Sequence, residues 1–257
     1  MPVRARLFRR PAGGVRRGGN ANDLGTARGR RISMLQTETE EIMPDNDAHE
    51  ALLHEIIDCE LAMFLAVPNA DGPSTCQERP KTFRLMRWMS LSVHDDSTLT
   101  SYLNDLKQAG MQGRNLMVEK YARMEDSLPP LTDNPLVDVI TGEEADFLAE
   151  ASRLYPHAVP GRGGDAFRHY MRCELETWSD VTLALYGTEI LRARNEGRNL
   201  ALERYERLWR RLGYASLDER EEAARLREGG LERFAVENGE CSGGRPRPPE
   251  NYAFQAK

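Results

Sequence analysis

Apolar residues recur at helical spacing along most of the chain between Asp47 and Leu212. From Asp47 to Val67, Leu53, Ile56, Ile57, Met63, Phe64 and Val67 fall on one side of a helix. Asp45, Asn46 and Asp47 are cap candidates at its start, and Pro68 ends it. The stretch VPNADGPSTCQERP, rich in Pro, Gly and Ser, predicts a loop. A second helix is expected from about Lys81 to Val93. A third, capped by Asp95 or Ser97, runs long through Arg123 on the stripe Leu99, Tyr102, Leu106, Ala109, Gly113, Leu116 and Met124. Gly110 and Gly113 each cost a helix interior up to ~1 kcal/mol. Gly113 lies on the apolar stripe, so the expectation is that it admits the backbone of another helix.

The pattern then repeats. GRNLMVEKYARM, Gly113 to Met124, returns as GRNLALERYERL, Gly197 to Leu208, 84 positions later. The same shift aligns Ala51 to Met124 with Pro135 to Leu208 without a gap. Kept pairs include Leu52/Leu136, Ile56/Ile140, Glu60/Glu144, Phe83/Phe167, Arg84/Arg168, Leu91/Leu175, Asp96/Asp180, Thr98/Thr182, Leu99/Leu183 and Tyr102/Tyr186. In the closing segment they are Gly113/Gly197, Arg114/Arg198, Asn115/Asn199, Leu116/Leu200, Glu119/Glu203, Tyr121/Tyr205 and Arg123/Arg207. Copy two therefore predicts helices over Leu136 to Ala151, Ala166 to Trp178 and Asp180 to Leu212. Ser216 and Glu219 match a capping box and start a short solvated helix. The expected fold is all-α: two tandem pseudo-symmetric three-helix repeats packed into one helical domain, plus the short C-terminal helix. The expected divisions are a basic arm at 1–44, repeat one at 45–130, repeat two at 131–213, and the short helix and tail at 214–257.

Composition narrows the class. With 40% apolar and 30% charged residues the chain is globular in character, and no apolar run is long enough to span a bilayer. The net charge of −6 conceals nine arginines against one acid in residues 1–31, which leaves the remainder at −14. An acidic body argues against a nucleic-acid partner for the folded part. The arginine-rich start reads as a basic arm, as a transit peptide, or as translated sequence ahead of a start at Met34 or Met43; the last is favoured. Cys59, Cys76, Cys173 and Cys241 lack metal or disulfide spacing, so they read as reduced thiols and the cytoplasm is the expected compartment. GRGGDA at 161–166 has the glycines of a phosphate loop but no preceding strand.

The chemistry-bearing residues are those the repeat keeps. Glu60 lies on an apolar face between Ile56 and Phe64, and Glu144 lies likewise between Ile140 and Leu148. A carboxylate buried there must be paired, protonated or metal-bound, because bare burial costs several kcal/mol. One reading is an ion-pair network drawing on Arg84, Arg114 and Arg123 and their partners Arg168, Arg198 and Arg207, with Glu119–Arg123 as an i,i+4 pair. A second is a cleft between the copies. Glu60, Arg84, Arg114, Asn115, Glu119 and Tyr121, with Glu144, Arg168, Arg198, Asn199, Glu203 and Tyr205, would then bind a small anionic or zwitterionic ligand or a partner segment. A third is a di-iron or di-manganese site on Glu60, Glu119, Glu144 and Glu203, although the Glu-x-x-His arrangement usual for such sites is absent. Cys76 and Gln77 in the first loop are further candidates.

CQERPKTFRLMRW with GRNLMVEKYARM, followed by ELETWSDVTLALY and EGRNLALERYERL, resembles the bacterial family known as domain of unknown function 4125, over about Leu52 to Leu217. The resemblance implies a bacterial, intracellular protein. Cys76, Gln77, Arg114, Asn115 and Glu119 stand in its recognisable segments. The leading expectation is a binding or accessory protein with no cofactor; the competing one is the di-metal oxidoreductase.

Overall fold

The computed structural model describes residues 45–68, 74, 76–160 and 164–237, whose regular elements are all helices, with no strand among them. The basic arm, GRG at 161–163, Cys241 and the tail from 238 lie outside the described residues. Copy one supplies α1 (Asp45–Leu65), α2 (Pro80–Leu91), α3 (Asp96–Met111) and α4 (Leu116–Met124). Copy two supplies α5 (Leu136–Leu154), α6 (Asp165–Leu175), α7 (Asp180–Asn195) and α8 (Leu200–Arg211). The helix α9 (Leu217–Glu237) follows, longer than the short helix expected.

Each copy thus has four helices where three were expected, because the long third helix breaks at its glycine. Gly113 and Gly197 hold φ of 69° and 67°, a left-handed conformation that a Cβ disfavours. The amide after each glycine reaches back to close the helix: Arg114 to the Ala109 carbonyl and Arg198 to the Ala193 carbonyl, both at 2.8 Å. A Cβ built on Gly113 would meet nothing within 4 Å, so close helix approach is not the reason for the residue. Its backbone angle is. Gly113→Ala should therefore cost ~1–2 kcal/mol. Gly110→Ala, at an exposed position of α3 with the same open space, should gain ~0.5–1 kcal/mol, both read from denaturant midpoints.

Asn115 and Asn199 then start the next helix. Asn115 Oδ1 accepts from the amides of Met117 and Val118, and Asn199 Oδ1 from that of Leu202. Their amide nitrogens donate to Met63 and Phe147, aligned residues near the ends of α1 and α5, at 2.9 and 3.0 Å. The Gly-Arg-Asn joint therefore turns the chain and pins that corner to the first helix of its own copy.

The helices that touch are the same in both halves. α1 packs on α2, α3 and α4 as α5 packs on α6, α7 and α8; between halves, α3 meets α7, α2 meets α8 and α4 meets α6. Exchanging the two copies leaves this set of contacts unchanged. One apolar core runs through both, built on aligned residues such as Ile56 and Ile140, Leu99 and Leu183, Ala109 and Ala193. Where α3 meets α7, each helix caps the start of the other: the Asp95 amide donates to Glu189 at 2.7 Å and the Ser179 amide to Asp105 at 3.0 Å. Outside the halves, α9 packs on α8, and its Glu221 accepts from the amides of His157 and Ala158 after α5.

Candidate functional site

Glu60 and Glu144 are both fully buried and both ionically paired, through cations that are not kept in identity. On α2, Arg87 grips Glu60 with two parallel bonds, Nε to Oε2 at 2.7 Å and Nη2 to Oε1 at 2.5 Å. Its remaining nitrogen, Nη1, lies 2.7 Å from Oε1 of Glu174 on α6 in the other copy. The second oxygen of Glu174 accepts from Lys120 Nζ on α4 at 2.5 Å. Lys120 Nζ also meets the Tyr170 hydroxyl at 2.8 Å and stands 3.9 Å from the centre of that ring. Tyr102 donates to Glu60 at 2.7 Å. Two carboxylates and two cations thus share one buried node and their charges cancel.

In copy two the node is simpler. Arg204 pairs with both oxygens of Glu144, and Tyr186 donates to the same carboxylate. Arg204 also donates through Nε to the Ser90 carbonyl at 3.2 Å. Lys120 and Arg204 are aligned by the repeat, and so are their cross-copy targets, Glu174 and Ser90. The kept arginines obey the same exchange. Arg123 binds the Glu176 carboxylate through Nε at 2.6 Å, while Arg207 donates to the carbonyl of the aligned Ser92. Copy one's Arg87 and copy two's Glu174 have no charged counterpart, Met171 and Ser90 standing there, and they neutralise each other.

Between the nodes runs a file of rings. Tyr102 stacks on Trp178 at 4.5 Å, and His94 stands edge-on to Tyr186 at 4.4 Å with Nδ1 2.6 Å from Glu189. Burial pushes the Glu174 carboxyl up, but the charges of Arg87 and Lys120 outweigh it and hold the group well below the usual carboxylate range. For Glu144 burial also pushes up, and Arg204 with Tyr186 brings the net shift down. Burial, then the adjacent carboxylates, raise Tyr102, Tyr186 and Tyr170, which remain protonated donors.

Several expected partners lie elsewhere. Arg84 and Arg168 do not join the buried glutamates: they face Asp58 and Asp146 at 2.5 and 3.5 Å on the surface, because their positions on α2 and α6 point outward. Glu119 pairs with Arg114 and not with Arg123, through two bonds of 2.8 and 2.7 Å, and Glu203 pairs likewise with Arg198. These pairs belong to the two joints. The four kept glutamates therefore do not converge, and among the described residues no three His, Cys, Asp or Glu side chains are grouped to hold an ion. Tyr121 is half-buried against Phe64, ring centres 6.0 Å apart, and Tyr205 packs on the main core. Gln77 is buried and donates to the carbonyls of Phe64 and Val67, both at 3.0 Å, closing the end of α1; Cys76 beside it is exposed.

Sequence reasoning missed Arg87, Lys120, Glu174 and Arg204. Lys120 and Arg204 were available as a kept charge, which a comparison by identity passes over.

Among the described residues no helix is long and apolar enough to cross a membrane. Neither a curated protein nor a solved structure matches the chain. A family model does, over residues 50–222, from within α1 to the start of α9 and including both nodes and both joints: the chain belongs to the family described as protein of unknown function (DUF4125).

Proposed function

We propose that the chain is a binding or accessory protein whose seam takes a small zwitterionic ligand, one carrying an ammonium and a carboxylate. What supports the reading is the setting of Lys120. Its ammonium rests against the Glu174 carboxylate and the Tyr170 ring, the same set of groups that would receive a ligand ammonium. Lysine is a compact charge on a flexible four-carbon stem, so it can withdraw from this place where an arginine fork would not. A ligand ammonium would then take the vacated contacts, and its carboxylate would meet Lys120 or Arg87. A zwitterion enters this balanced node without adding net charge. A purely anionic ligand would leave Glu174 without its second cation.

Thermal unfolding of the native chain against amino acids, simple amines and small carboxylates tests the reading. A ligand at a hundred times its Kd adds ~2.7 kcal/mol, or a rise of roughly 5–10 °C in Tm. Zwitterions should give that rise, and Glu174→Gln should abolish it. If none of the three classes moves Tm at millimolar concentration, the node is a structural lock and nothing more.

A further inference from the structure

The two copies present the same outer helix face to solvent but differ in what they put on it. On α7 the outward positions are Val181, Ala184, Thr188 and Leu191, all exposed, with Val181 and Leu191 each 65% exposed. Their aligned residues on α3 are Ser97, Thr100, Asn104 and Lys107, also exposed and all polar. On α5, Val139, 53% exposed, is aligned with Glu55, as Leu191 is with Lys107. Glu55 and Lys107 form an ion pair at 2.7 Å, so copy two has replaced a surface salt bridge with two bare apolar side chains. Since copy one folds with this face polar, folding does not require copy two's face to be apolar.

We propose that this face of α7 is where a second copy of the chain docks, the two α7 helices lying antiparallel about a twofold axis near Tyr186. The spacing of three, four and three residues is that of a coiled-coil seam. Antiparallel pairing about position 186 sets Val181 against Leu191 and Ala184 against Thr188, so the larger residues meet at the ends and the small ones let the backbones approach at the centre. The same register sets Asp180 of one copy against Arg192 of the other, twice. Both are at the surface, Asp180 held by Asn134 and Arg192 by Asp95 with its side chain 44% exposed. A parallel pair would instead oppose Asp180 to Asp180. This charge complementarity selects a second copy in one orientation, and an isologous contact of this kind closes on itself.

Sedimentation velocity of the full chain over about 1–100 μM tests it. A concentration-dependent dimer is expected, and Leu191→Glu should give a monomer with unchanged helical content. Asp180→Arg should weaken the dimer at least tenfold, and Asp180→Arg with Arg192→Asp should restore it. A chain that stays monomeric at 100 μM, a dimer indifferent to Leu191→Glu, or a double charge swap that fails to restore association would overturn the proposal. So would a complex with a different protein on this face that leaves no self-association.

Discussion

Arg87→Met should be among the most destabilising single substitutions in the chain, costing ~3–5 kcal/mol. That is a large part of the ~5–15 kcal/mol a domain usually has, and Tm should fall by roughly 6–20 °C. The reason is arithmetic of charge. Arg87 is shared between Glu60 and Glu174, and its loss leaves two buried carboxylates with Lys120 as their one cation. The pH dependence should change sign as well. In the native chain the Glu174 and Glu144 carboxyls are held below their unfolded values, so their contribution is complete above about pH 5 and is lost as pH falls through the folded values. In Arg87→Met an unpaired carboxylate is easier to bury protonated, so acidifying from pH 7 towards 5 should stabilise the variant. Adding Glu60→Gln should recover most of the loss, since Lys120 and Glu174 then remain as a balanced pair. Urea midpoints at pH 5 and 7 for the three proteins give the answer.

Lys120→Ala should also cost ~3–5 kcal/mol by leaving Glu174 short of a cation in a buried place. It differs from Arg87→Met in what can repair it. Removing the lysine stem leaves room beside the Tyr170 ring and the Glu174 carboxylate for a small alkylammonium ion. Millimolar butylammonium should therefore raise the Tm of Lys120→Ala by several degrees and leave Glu174→Gln/Lys120→Ala unmoved. Neutral butanol at the same concentration is the control for apolar filling. An amine effect equal to that of butanol would separate the node from any role in ammonium recognition.

The helical class was legible because apolar spacing and caps are local properties. Pro68, Asn134 and Ser216 punctuate the sequence where the helices end or begin. The break at Gly113 was misjudged because the glycine falls on the apolar stripe of an extended helix, and one positive φ has no signature in periodicity. The following Asn, an N-cap residue type, carried that signal twice. Of the site, the burial of Glu60 and Glu144 was readable from their neighbours at i−4 and i+4, while their cations were not. Arg87 comes from another helix of its own copy, and Arg204 lies 60 residues from Glu144, so no short-range pattern reports either. The retention of Arg114, Asn115 and Glu119 suggested a ligand. The structure gives each of them a place in the joint between two helices.

Buried charges bind one copy of the repeat to the other, and a double-mutant cycle on Lys120 and Glu174 measures that coupling. Each partner belongs to a different copy, and removing both leaves Glu60 with Arg87 as a balanced pair. Lys120→Met and Glu174→Gln should each destabilise strongly while the double variant loses far less than their sum, a coupling of at least ~2 kcal/mol. Additive losses, within ~0.5 kcal/mol, would contradict it.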